Sequence, residues 1–230
     1  MAPSPPWPEP AYRFDLPNPV PADFRRLAAA VFPRVWRAAL DRPGFALIRF
    51  GGPVASPALR HFLLDLAGAL PLPFVPERLG RFDQQVSSRF HRDGAPPASL
   101  LLLGYEGSRV RSRVFAADAE RAAAAAGLPV NEYLAAYNPM TPAGEAKLWP
   151  VATELAVPVN EPFVVVLNNS LVPAGPDRVL GVLHKAEVHE PDPTAERVIN
   201  SVGLMRVGDP AGLPKPTDAV AHFLDRADLD

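Results

Sequence analysis

The chain contains no cysteine, which removes disulfides and thiolate metal ligands; any metal site must use His, Asp, Glu or backbone oxygen. No apolar run approaches the length of a bilayer span. Neither charge sign dominates: the formal net charge is −2, with basic and acidic residues interspersed, so no broad surface for nucleic acid is expected. Residues 1–10 have neither a basic start nor an apolar stretch, so no signal peptide is expected and the cytoplasm is the expected location. A glycine-rich phosphate loop and a downstream Asp-Phe-Gly are missing, which excludes the His-Arg-Asp triplet at 91–93 as the catalytic loop of a phosphotransferase.

What is present suffices for one sizeable core: 230 residues, 48% of them hydrophobic, with no linker dividing them. Thirty prolines and 15 glycines shorten the elements and favour a β-rich fold with helical cover. Residues 1–20 read as an irregular arm and 21–230 as a single domain. Within it, apolar spacing predicts a helix over 22–41, interrupted by Pro33. A second helix starts at Ser56 as N-cap, with Pro57 in its first turn. The apolar runs at 98–105 and 162–168 predict strands covered on both faces. Ala116–Ala126 predicts a helix stopped by Gly127, 131–137 another short helix, and Asp218–Asp225 a terminal one. Residues 138–162 hold five prolines and read as an insertion or lid, or as a plain surface connection.

The chemistry concentrates in few residues. His91 and Asp93 are two apart, and in a strand residues i and i+2 share a face, so an unbroken polar row is expected through Gln85, Ser87, Arg89, His91 and Asp93. A third ligand follows from the same parity: His184 shares its face with Leu180, Val182, Ala186 and Val188, whereas His189 lies among charges. Two histidines and one carboxylate on one side of a metal leave open positions suited to non-haem Fe(II) and oxygen chemistry. Pro191–Thr194 reads as a turn and Glu196–Val207 as a second strand, a hairpin that sets Ser201 opposite His184 and Arg197 opposite Val188. Arg197 then projects to the side of His184, where its planar fork suits a carboxylate.

Three further polar features are candidates. Arg89 shares the expected face of His91 and serves either the near carboxylate of a cosubstrate, an acidic substrate, or the charge of Asp93. Asn168 ends the Phe-Val-Val-Val-Leu run, where its amide contacts a bound carboxylate or caps the strand end. Arg109, Arg111 and Arg113 alternate along one face, read as solvated.

The ordered set His91, Asp93, His184 and Arg197, with gaps of 91 and 13 residues, resembles the Fe(II)- and 2-oxoglutarate-dependent oxygenases. The stretches GFALIRF at 44–50, LAGALPLPF at 66–74 and FHRDGAPPASLLLLGY at 90–105 are similar to the taurine dioxygenase and clavaminate synthase-like branch. That resemblance implies a double-stranded β-helix, a jelly-roll or cupin-like barrel, with helices covering one sheet. It implies Fe(II) on His91, Asp93 and His184, and 2-oxoglutarate as cosubstrate with its far carboxylate on Arg197, helped by Ser201. O2 and an unidentified small molecule would be the reactants. Two rivals stay open: a non-oxidative cupin-like metal enzyme with the same ligands and no use for Arg197, and a non-catalytic β-sandwich binding module with structural histidines.

Overall fold

Strands β4 (Ser99–Tyr105) and β7 (Phe163–Asn168) are buried at every position because their sheet is covered on both faces. The computed structural model describes residues 6–17, 23–94, 96–170, 178–208 and 218–230. Among them, nine strands form two sheets, joined by six α-helices. The larger sheet adds β1 (Arg13–Leu16), β2 (Phe45–Phe50), β3 (Phe74–Asp83) and β9 (Val198–Arg206), in the order β1-β2-β7-β4-β9-β3. The smaller comprises β5 (Arg111–Ala117), β6 (Ala152–Leu155) and β8 (Leu183–Glu190), in the order β6-β5-β8.

Side chains alternate across a strand, and the two faces of the larger sheet do different jobs. Leu100, Leu102, Val164, Val166, Val202 and Leu204 pack under α1 (Phe24–Val35) and α2 (Ser56–Gly68). Leu101, Leu103, Tyr105, Val165, Leu167 and Ile199 face Val114 and Ala116 of the smaller sheet and Val182 just ahead of it. The smaller sheet's other face carries Phe115, Ala117 and Leu183 against α3 (Ala119–Ala126) and α4 (Val130–Ala136). Helical cover therefore lies on both outer faces rather than on one. The sheets oppose each other without closing into the expected barrel.

From β3 onward the chain passes repeatedly between sheets: β3 and β4 lie in the larger, β5 and β6 in the smaller, β7 in the larger, β8 in the smaller and β9 in the larger. The expected hairpin of residues 179–190 with 196–207 is thus overturned. β8 pairs with β5, and β9 sits between β3 and β4. The reason is burial: Val198, Ile199, Asn200, Val202 and Leu204 are all buried, so β9 needs neighbours and cover on every side, which the partly exposed end of β8 does not offer.

Several ends differ in detail from the sequence reading. Arg13–Leu16 is not irregular but adds a parallel edge strand to β2, anchored by Tyr12 packed on Phe45. The N-cap of α2 is Ala55; the Ser56 hydroxyl instead donates to Glu106. Residues 138–162 contain α5 (Pro142–Ala146), a 3-10 turn at Trp149–Val151 and β6, so they include an integral strand of the smaller sheet. Gly127 stops α3 in the left-handed conformation, φ 69°, and α6 spans Asp218–Asp225. No helix among the described residues is long and apolar enough to cross a membrane.

One buried ion pair ties this frame together. Asp118 accepts from the backbone N–H of Arg121 at the start of α3 and pairs with Arg37 at 2.7 Å. Arg37 also donates to the carbonyl of Leu180, just ahead of β8. Asp118→Ala leaves a buried guanidinium without its anion and is expected to destabilise the fold by about 3–5 kcal/mol, measured by urea denaturation; a loss under about 1 kcal/mol would contradict this pairing.

Candidate metal centre

His91 is an isolated bridge residue opposite His184: each backbone N–H donates to the other's carbonyl, at 3.0 and 2.9 Å. This pairing brings the two imidazoles to 4.2 Å between ring centres. Asp93 lies between them, Oδ1 3.2 Å from His91 Nε2 and Oδ2 3.9 Å from His184 Nε2. Ligand atoms from all three residues fall within 4.8 Å of one another. The three side chains converge as the sequence reading expects, but not from the expected strand. Residues 84–90 form no strand; the hydroxyls of Ser87 and Ser88 accept from the backbone of Val188 and Ala186 in place of a regular ladder.

The triad's protonation suits a cation. His91 Nδ1 lies 2.7 Å from the carbonyl of Arg89; a carbonyl only accepts, so Nδ1 carries a proton, and Nε2, which donates to Asp93 at 3.2 Å, would turn its lone pair to a cation in exchange for that contact. Burial drives the His184 imidazole down to about 4, with His91 beside it acting in the same direction, so His184 is neutral near pH 7. Burial pushes the Asp93 carboxyl up, but the His91 hydrogen bond and the charges of His184, His91 and Arg78 outweigh it and hold the group below its ordinary value. Burial also lowers His91, against a larger combined pull upward from Asp93 and the Arg89 carbonyl. His184 Nδ1 is buried with no hydrogen-bond partner. One carboxylate, the neutral His184 and a His91 that gives up its Nε2 proton on binding fit a divalent ion.

The turn that carries Asp93 is held from the end of β7. Asn169 Nδ2 donates to the Asp93 carbonyl at 3.1 Å, and Arg92 Nη1 to the Ser170 carbonyl at 2.6 Å. Asn169→Ala is expected to weaken metal binding about tenfold while the protein stays folded, as for other residues that orient ligands; titration with Co(II) checks it.

Beyond the triad, a cavity of about 220 Å³ is walled by Phe82, Gln84, Ser88, Leu103, Tyr105 and Ile199. Arg197 stands behind that wall and lines an adjoining cavity of about 360 Å³, with Tyr105 common to both. Only 3% of Arg197 is exposed. Its Nε donates to Ser112 at 2.9 Å and its Nη1 to Gln84 at 2.5 Å. Its guanidinium lies 4.9 Å from the centre of the Tyr105 ring. Burial raises the Tyr105 phenol above its ordinary value despite the nearby Arg197 charge, so it remains a hydrogen-bond donor. Arg197 Nη2 has no partner, and no carboxylate among the described residues pairs with this guanidinium. A cation this deep calls for an anion. No protein-family model and no curated protein matches the chain.

Three other expected site residues are not brought to the cavity. Ser201 pairs with Leu103 and Gly80, because β3 and β4 rather than β8 set its register, and it is not on the cavity wall. Asn168 points to the helical side, donating to the Val35 carbonyl and accepting from Ser170 N–H; strand alternation makes it structural and leaves the contact with Asp93 to Asn169. Arg89 turns away to Glu145, 2.6 Å distant, since the chain slips phase here: Gln84 and Ser88 face the cavity, then His91 and Asp93. Arg111 and Arg113 are exposed and paired with Glu190, Glu154 and Glu187, the solvated face expected. Tyr105, Gln84 and Ser112 were missed. Only Tyr105 carried a signal, as a polar tip on an otherwise apolar strand.

Proposed function

We propose that the chain is an Fe(II)- and 2-oxoglutarate-dependent oxygenase that hydroxylates a small molecule, its facing sheets forming an open version of the double-stranded β-helix. The observation that carries this reading is the buried, anion-less Arg197 one wall away from two histidines and a carboxylate. A non-oxidative metal enzyme has no use for such a cation. A cosubstrate with a carboxylate at each end has one, because its near end would meet the metal and its far end the wall that Arg197 backs.

His91, Asp93 and His184 would hold the iron. When bound, iron and 2-oxoglutarate supply the oxidation R–H + O2 + 2-oxoglutarate → R–OH + succinate + CO2. The residues of this chain position and shield. Arg197 would draw the far carboxylate by its charge, from behind the wall that Gln84 and Tyr105 make. Gln84 and Ser112 keep the guanidinium from rotating, and the Tyr105 ring beneath it fixes its plane. Phe82, Leu103 and Ile199 keep water away, which strengthens every electrostatic contact inside. Asp93 brings one negative charge, and the cosubstrate's near carboxylate supplies the second that a divalent ion requires. The reading also places the protein in the reducing cytoplasm, where iron stays ferrous.

The test is spectroscopic. Anaerobic addition of 2-oxoglutarate to Fe(II)-loaded protein is expected to give a weak visible charge-transfer band, absent in His184→Ala, and exposure to O2 is expected to release succinate. Metal binding with neither band nor succinate would favour the non-oxidative cupin-like enzyme holding Zn or Mn. Metal stoichiometry unchanged by His91→Ala and His184→Ala would favour the non-catalytic binding module.

A further inference from the structure

His91 borders two spaces. One is the cavity toward Arg197; the other is a wide-mouthed chamber of about 620 Å³, open to solvent, of a volume that suits a small molecule. The chamber's walls are mostly apolar: Phe90, Leu134, Pro139, Met140 and Leu183. Met140 is 56% exposed at this wall. The polar residues lining it are His91 and Arg92, and Arg92 already spends Nη1 on the Ser170 carbonyl.

A second cation approaches the rim of the chamber at Gly94, from β3, without lining it. Arg78 lies across Gly203 of β9, its Cβ in van der Waals range, and its guanidinium rests on Gly94, a residue of the chamber wall. A Cβ on Gly94 would collide with Arg78 Nη2, and Gly94 adopts φ +36°, so the turn after Asp93 is shaped around this side chain. Arg78 is exposed and has no acidic partner within 4.0 Å among the described residues. Its charge is felt at the Asp93 carboxylate, but a bound metal ion would take up that negative charge. The guanidinium, charged at any working pH and open to solvent, is then available to an anion at the rim of the apolar chamber.

We propose that this chamber holds the molecule to be oxidised, a small acid with an apolar body, and that Arg78 selects its anionic head. The inference rests on the oxygenase reading for the word oxidised; the binding preference itself does not depend on it. The head lies at Arg78 and Gly94, the apolar body against Phe90, Leu134 and Met140, and His91 forms the partition from the cosubstrate cavity. The presented atoms of the substrate are therefore those a short distance from its acid group, next to the metal ligands.

The test titrates Co(II)-loaded protein, with and without saturating 2-oxoglutarate, with octanoate and with octanamide by calorimetry. Octanoate is expected to bind at least tenfold tighter than octanamide. Arg78→Ala is expected to abolish that difference, Arg78→Lys to retain part of it, and Met140→Ser to weaken both probes alike. Equal binding of acid and amide, a preference that survives Arg78→Ala, indifference to Met140→Ser, or no binding of either probe would overturn the proposal. Loss of octanoate binding in Arg197→Met but not in Arg78→Ala would overturn it too, by placing the acid in the cosubstrate cavity. If 2-oxoglutarate itself fails to bind while the Arg78-dependent preference persists, the oxygenase reading falls and the acid site stands.

Discussion

Arg197→Met is expected to leave metal stoichiometry unchanged and to weaken 2-oxoglutarate binding by about 2–5 kcal/mol, at least roughly thirtyfold in Kd. The size follows from burial: a carboxylate meeting a guanidinium in this setting is shielded from water, and truncating the cation leaves the anion unpaired. The same substitution has a second, opposite consequence. Arg197 is a buried charge with no carboxylate partner among the described residues, and replacing such a charge by an apolar side chain of similar volume is often neutral or stabilising. The urea midpoint of ligand-free Arg197→Met is therefore expected to equal or exceed that of the unmodified chain. A drop of several kcal/mol would mean that its bonds to Ser112 and Gln84 make it a structural residue, and the cosubstrate role would fail.

Asp93→Ala is expected to abolish metal binding, with an affinity loss well beyond the 10–100-fold that follows changes in residues supporting the ligands. Asp93 supplies the only negative charge of the triad, and without it two neutral imidazoles face the cation alone. Co(II) titration of the variant should show no stoichiometric site, and Fe(II)-supported succinate release should vanish with it. Because Asp93 is half-buried at the surface of a turn, thermal unfolding of the metal-free variant should stay cooperative. Stoichiometric binding in Asp93→Ala would refute the site as drawn here.

Much of this arrangement was legible in the sequence. The runs at 98–105 and 162–168 became β4 and β7 because a strand covered on both faces has to be apolar throughout. His184 was found by parity, and Val182, His184 and Ala186 do face the space between the sheets. Parity failed where the chain is not periodic: the segment from Gln84 to His91 changes phase, so Arg89 was assigned to the wrong side. It also failed to name partners. Alternation reports which face of a strand is buried but not against what, so a turn-rich link between β8 and β9 read as a hairpin although it crosses between sheets. The same limit misassigned Ser201. Asn168 and Asn169 are indistinguishable by composition; only the strand's end point decides which one turns toward Asp93.

The crossing between β8 and β9 has one more consequence. His184 belongs to the smaller sheet, while Arg197 immediately precedes β9 of the larger, so the cosubstrate proposed above would fasten the two halves like a removable rivet. Its binding energy would become cohesion of the whole sandwich, about 2.7 kcal/mol at a hundredfold excess over Kd, and the melting temperature would gauge how full the site is.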